Sequence, residues 1–148
     1  MEKIKVFMFA VILCSCFFSG ARVIASDYEE IEKHPIDVEV EKRIDNDPST
    51  IGMIEAFEYA AKEWDKLLNE NYTALMRKLS GEEQEKLRAS QREWIKYRDL
   101  EFDFNAHFWA GFEGTMYRVF PFDFRADFVR ERALMLGNYL ESLTFVEP

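Results

Sequence analysis

From Ile51 to Leu79 the apolar residues return at helical spacing. Ile54, Phe57, Ala61, Trp64, Leu68, Tyr72, Leu75 and Leu79 lie three or four positions apart, which lines them along one face of a helix. No stretch of useful length alternates apolar and polar residues as a strand would. A second such pattern runs to about Ala110 through Leu87, Trp94, Ile95, Tyr97 and Phe102. A third begins near Thr115 and continues to Leu143 through Met116, Phe120, Phe124, Phe128, Leu134 and Leu140. The spacing predicts an all-α fold, an antiparallel bundle of three long helices, with a possible short N-terminal helix.

Local signals set the boundaries. Asp47-Pro48-Ser49-Thr50 supplies capping oxygens before the first long helix, and Gly52 is its one weak point. Ser80 and Glu83 form a capping box for the second. Gly111 and Gly114 bracket a break, and Pro121 must kink the third helix or mark its restart, since proline lacks an amide donor. Residues 26–48 are polar and interrupted by Pro35 and Pro48. Ile36, Val38, Val40 and Ile44 allow either an extended arm or a helix of about 8 residues there.

The N-terminus reads as an export signal. Lys3 and Lys5 precede an apolar run of about 13 residues, Val6 to Phe18, shorter than the ~20 that span a bilayer. Val23 and Ala25 suit a signal-peptidase site, so cleavage is placed after Ala25, leaving a periplasmic or extracellular protein with no transmembrane helix. Two alternatives remain: an uncleaved anchor, and acylation at Cys16 within Leu13-Cys14-Ser15-Cys16, although Phe17-Phe18 follow where lipoproteins usually turn polar. Both cysteines lie in this segment, so the domain behind it has neither a disulfide nor thiol chemistry.

The whole chain carries a net charge of −9. Residues 1–25 hold Lys3, Lys5 and Arg22 against Glu2, a net of +2, so the remainder carries −11. Such a charge argues against nucleic acid and anionic membrane as partners, and permits attraction to a basic protein. It equally suits a solvated acidic surface. The 2 histidines, His34 and His107, are too few and too far apart for a zinc site, and no cofactor or metal is indicated.

Two segments share helical faces that carry polar groups. Asp65, Leu68, Asn69 and Tyr72 fall at i, i+3, i+4 and i+7, and Gln91, Trp94 and Arg98 do likewise. Folding the chain back at Ser80 as an antiparallel hairpin places Asn69 opposite Gln91 and Asp65 near Arg98. The sequence therefore predicts an Asn69–Gln91 hydrogen bond and an Asp65–Arg98 ion pair, with a structural role in fixing register. An ionised Asp65 beside Arg98 would be a poor general acid or base, and no nucleophile with a base is evident.

Asp65-x-x-Leu68-Asn69-x-x-Tyr72, then Leu87-x-x-x-Gln91-x-x-Trp94-x-x-Tyr97-Arg98-Asp99, then Gly114-Thr115-Met116 and Arg130-x-Arg132 together resemble the LprI-type lysozyme-inhibitor domain family over roughly residues 34–145. These are small exported bacterial helical domains. Many carry paired cysteines where this chain has Ala56, Phe102 and Phe124, with Arg43 a further candidate. The resemblance implies a non-catalytic protein-binding role, with a lysozyme-type muramidase as the candidate partner. A structural or assembly role in the bacterial envelope is the alternative. The run Phe102, Phe104, Phe108, Trp109, Phe112, Tyr117, Phe120, Phe122, Phe124 and Phe128 is dense in rings. It suits a core of large side chains, or an exposed rim of Trp109, Phe112, Glu113, Thr115 and Tyr117 that docks a partner.

Overall fold

Four α-helices and a short 3-10 turn follow one another in the computed structural model, which describes residues 33–146. The proposed signal segment, Cys16 and the cleavage site lie outside the described residues.

Helix α1 spans Pro35–Asn46, 12 residues and so longer than the short segment expected. Pro35 sits in the first turn, where its missing amide costs nothing, and the Ile36 amide donates to His34 Nδ1 at 3.2 Å. Helix α2 spans Thr50–Lys78, capped by Ser49 Oγ, which accepts from the Gly52 amide at 3.1 Å. Gly52 is no weak point. A Cβ there would lie 2.2 Å from the Asp47 carbonyl oxygen, so the tight entry into α2 requires glycine.

Helix α3 spans Gly81–Ala110. The Glu83 carboxylate accepts from the Ser80 amide at 2.8 Å and from its hydroxyl at 2.7 Å. Gln84 Nε2 donates to the Met76 and Leu79 carbonyls, both at 2.9 Å, closing the end of α2 onto the start of α3. Beyond Ala110 the chain turns through Gly114, whose φ of 117° disfavours any other residue. The 3-10 turn Met116–Arg118 follows, and α4 runs Phe120–Val146. Pro121 therefore marks a restart, lying in the first turn of α4.

Helices α2 and α4 form the closest pair. Ala56, Ala60, Trp64, Leu68 and Leu75 meet Ala126, Val129, Ala133 and Leu136, all buried. The alanines let the backbones approach. At Gly137 a Cβ would stand 3.2 Å from Asn71 Nδ2, which donates to the Ala133 carbonyl at 3.0 Å. Helix α1 covers the first half of this pair, and α3 leans on α4 through larger side chains. Among the described residues no helix is long and apolar enough to cross a membrane.

Candidate interaction surface

The polar residues of the α2–α3 hairpin do not pair as the hairpin register predicts. Asn69 is exposed and its Nδ2 donates within α2, to the Asp65 carbonyl at 2.7 Å and carboxylate at 3.0 Å. Arg98 binds its neighbour Asp99, with Nε and terminal nitrogen at 2.9 and 2.7 Å from Oδ1. The expected Asn69–Gln91 bond and Asp65–Arg98 pair are both corrected. The physical reason is that α4, with its small-residue stripe, occupies the inward face of α2. The face of α2 carrying Asp65 and Asn69 is turned from that stripe, while Leu68 is buried and Tyr72 packs at the core's edge.

Gln91 and Trp94 instead face α4. Arg132 Nε donates to Gln91 Oε1 at 3.1 Å, and another guanidinium nitrogen to Ser90 Oγ at 3.2 Å. Arg132 and Gln91 are both buried, 8% and 9% exposed, and burial pulls the Arg132 guanidinium below its usual range. Arg130, two positions earlier, reaches the other way. Its guanidinium grips Asp37 of α1 at 3.0 and 3.1 Å while lying 5.4 Å from the Trp64 ring centre. His34 packs tilted against the same indole with ring centres 4.4 Å apart, and His107 is exposed. The Arg-x-Arg segment thus fastens α4 to α3 and to α1 from alternate sides.

Phe102 and Phe124, two of the positions at which the family resemblance implies cysteines, pack edge to face with centres 6.3 Å apart, both against Phe128. A T-shaped ring pair of this kind holds α3 to α4 by packing. Ala56 is buried in the α2–α4 seam, and Arg43 lies 3.9 Å over the Tyr59 ring.

The end of the bundle formed by the last turns of α3, the loop and the start of α4 is a second ring cluster. Trp109 stacks on Tyr117 at 5.8 Å and meets Phe120 edge-on at 4.7 Å; Phe112 lies 5.1 Å from Tyr117. Trp109 and Tyr117 are half-buried and form the floor, while Phe112, Glu113 and Thr115 are exposed. The exposed apolar surface extends further down α3 than the five rim residues. Leu100, Phe104 and Phe108 are 71%, 63% and 46% exposed, and Met116 adds 51%. Leu100, Phe104 and Phe108 recur every four residues, a signal present in the sequence but masked because α3 carries large apolar residues on its buried face too. Asp99, Glu101, Asp103 and Glu113 are interspersed along this stretch. Among the described residues no group of three or more potential ligands could hold a metal ion.

The model of the family described as lysozyme inhibitor LprI matches residues 42–136. Among solved structures, the crystal structure of an uncharacterized protein from Burkholderia thailandensis is similar, with a TM-score of 0.66 and 29% identity over 71% of this chain. The match covers 52% of that protein's chain, so this chain spans about half its length. No curated protein sequence matches.

Proposed function

This chain belongs to the LprI lysozyme-inhibitor family, and from that premise we propose that it is an exported, non-catalytic protein that binds and occludes a basic lysozyme-type muramidase. The family match carries the reading. The N-terminal Lys3/Lys5, apolar run and Ala25 support export to the periplasm or beyond. The chain's acidity supports the partner's sign: the −11 that remains after cleavage at Ala25 speeds encounter with a cationic enzyme at low salt and is screened at high salt. The apolar end of α3 supports the contact. Phe104, Phe108, Phe112 and Met116 project from a ring cluster already braced by Trp109 and Tyr117, so little side-chain freedom is lost when a partner covers them.

The test is direct mixing. Purified protein and a basic lysozyme, run together by size-exclusion chromatography at low and physiological salt, are expected to co-elute, with the complex weakening as salt rises. No complex at either salt contradicts the reading.

A further inference from the structure

Helix α3 keeps an apolar face exposed along its second half. Tyr97, Leu100, Phe104 and Phe108 are 53%, 71%, 63% and 46% exposed, and their spacing of three, four and four residues puts them on one side of the helix. Contiguous exposed apolar surface of this kind marks a contact. Each helical residue turns by about 100°, so the face has two unlike edges about the line through Leu100. Tyr97, Phe104 and Phe108 fall on one edge. Lys96 and Asp103, both exposed, fall on the other. Lys96 donates to Glu93 of its own helix at 2.9 Å, while Asp103 has no ion-pair or hydrogen-bond partner among the described residues. Asp99, further round the charged edge, is neutralised by Arg98 at 2.7 Å. The segment is also close to neutral. From Arg92 to Gly111 the cations Arg92, Lys96 and Arg98 stand against Glu93, Asp99, Glu101 and Asp103. Three positive and four negative charges leave −1 there, against −9 for the whole chain. The acidity that repels copies of this chain from one another lies elsewhere.

We propose that this face pairs with the same face of a second copy, the two α3 helices running antiparallel. The edges set the direction. In a parallel pair each edge meets the opposite edge of the mate, which would set Lys96 and Asp103 against Tyr97 and Phe104. In an antiparallel pair like edges meet, ring against ring and charge against charge. A two-fold axis between Leu100 and Phe104 lays Leu100 on Phe104 of the second copy. It also brings Lys96 to within about one turn of the level of Asp103 of the second copy, an offset its flexible four-carbon stem spans. Two-fold symmetry makes each contact twice. The contact runs from about Glu93 to Gly111, roughly 28 Å of helix at 1.5 Å per residue. One helix pair of that length is smaller than a standard interface, so dissociation is expected at roughly 10–100 μM. Self-pairing goes beyond the muramidase reading and does not depend on it. Lys96, Leu100 and Asp103 lie outside the residues assigned to that contact, so dimerisation and inhibition can each fail alone.

Sedimentation equilibrium of the purified protein tests the pairing, over roughly 1 μM to 1 mM to span the expected dissociation. The mass is expected to rise from one chain toward two. Leu100→Ser should weaken self-association at least about tenfold, as loss of a central apolar contact does. Lys96→Glu and Asp103→Lys should each weaken it by roughly fivefold, since each turns two attractive contacts repulsive. Mixed in equal amounts, the two charge variants should bind each other more tightly than either binds itself. The double variant Lys96→Glu/Asp103→Lys should recover the parent's affinity. All three positions are exposed, so folding is not expected to suffer, and circular dichroism verifies this. A single-chain mass throughout the range overturns the pairing. So does a dimer indifferent to Leu100→Ser, or a pair of charge variants that do not restore each other's association.

Discussion

Arg132 Nε donates to Gln91 Oε1 at 3.1 Å in the interior, and this bond ties α3 to α4. A buried guanidinium without a carboxylate depends on its neutral acceptors, since removing one strands a charge in a medium that solvates it poorly.

Gln91→Leu should therefore cost about 2–3 kcal/mol of stability, the range for leaving a buried charged group without its hydrogen bond. Asp65→Asn and Arg98→Gln break no bond between α2 and α3 and should each cost less than Gln91→Leu, about 1 kcal/mol or below. Urea denaturation of the three variants checks this. A large loss from Asp65→Asn with little from Gln91→Leu would restore the α2–α3 pairing in place of the α3–α4 one.

The difference between those two pairings shows where sequence reasoning stops. The limits of α2 and α3 were legible because their causes are local: Ser49 and Ser80 cap, and the glycines after Ala110 end α3. The start expected near Thr115 is instead a 3-10 turn, with α4 beginning at Phe120, and Pro121 left kink and restart equally open. The choice of partner helix is not local. Polar groups at matching distances from the Ser80 turn fit a hairpin, yet the Ala56/Ala60 and Ala126/Ala133 stripes let α2 and α4 approach more closely than the tryptophan-bearing face of α3 allows. Close approach, set by small residues far apart in sequence, decided the pairing. The ring cluster was legible for a similar reason and within a similar limit. Its density around Trp109 was plain, while the exposure of Leu100 and Phe104 depended on which apolar face of α3 met α4.

Gly52→Ala probes the entry to α2. The added Cβ meets the Asp47 carbonyl at 2.2 Å, so the loop must shift and the Ser49 cap with it. A loss of about 1–3 kcal/mol is expected, as for other overpacked sites, although alanine is the better helix former. Thermal denaturation showing a gain would mean the α1–α2 loop yields freely.

Asp123 gives a pH signature. Burial and the Asp127 charge make the folded chain hold this proton to higher pH than the unfolded chain does. The folded state thus gains stability as pH falls through the carboxyl's folded range, and that gain is lost as pH rises past it. Asp123→Asn removes the charge, so the variant should exceed the parent by about 0.5 kcal/mol near neutral pH, kept small by solvent screening. The gap should close below the ordinary carboxyl range. Denaturation curves at several pH values check the sign; a variant less stable than the parent at neutral pH would show that Asp123 is held by a favourable partner.

In the proposed function an acidic helical bundle inhibits a muramidase through the exposed apolar end of α3. Its most direct test is lysis of a peptidoglycan suspension by a basic lysozyme, measured with the parent protein and with a Phe108→Ser/Phe112→Ser variant shown by circular dichroism to be folded. The parent is expected to inhibit in a dose-dependent way that weakens with salt, and the variant at least about tenfold more weakly, as when central interface aromatics are truncated. Full lysozyme activity at every dose of the parent would contradict the muramidase reading, and equal inhibition by both proteins would contradict the surface assigned to it.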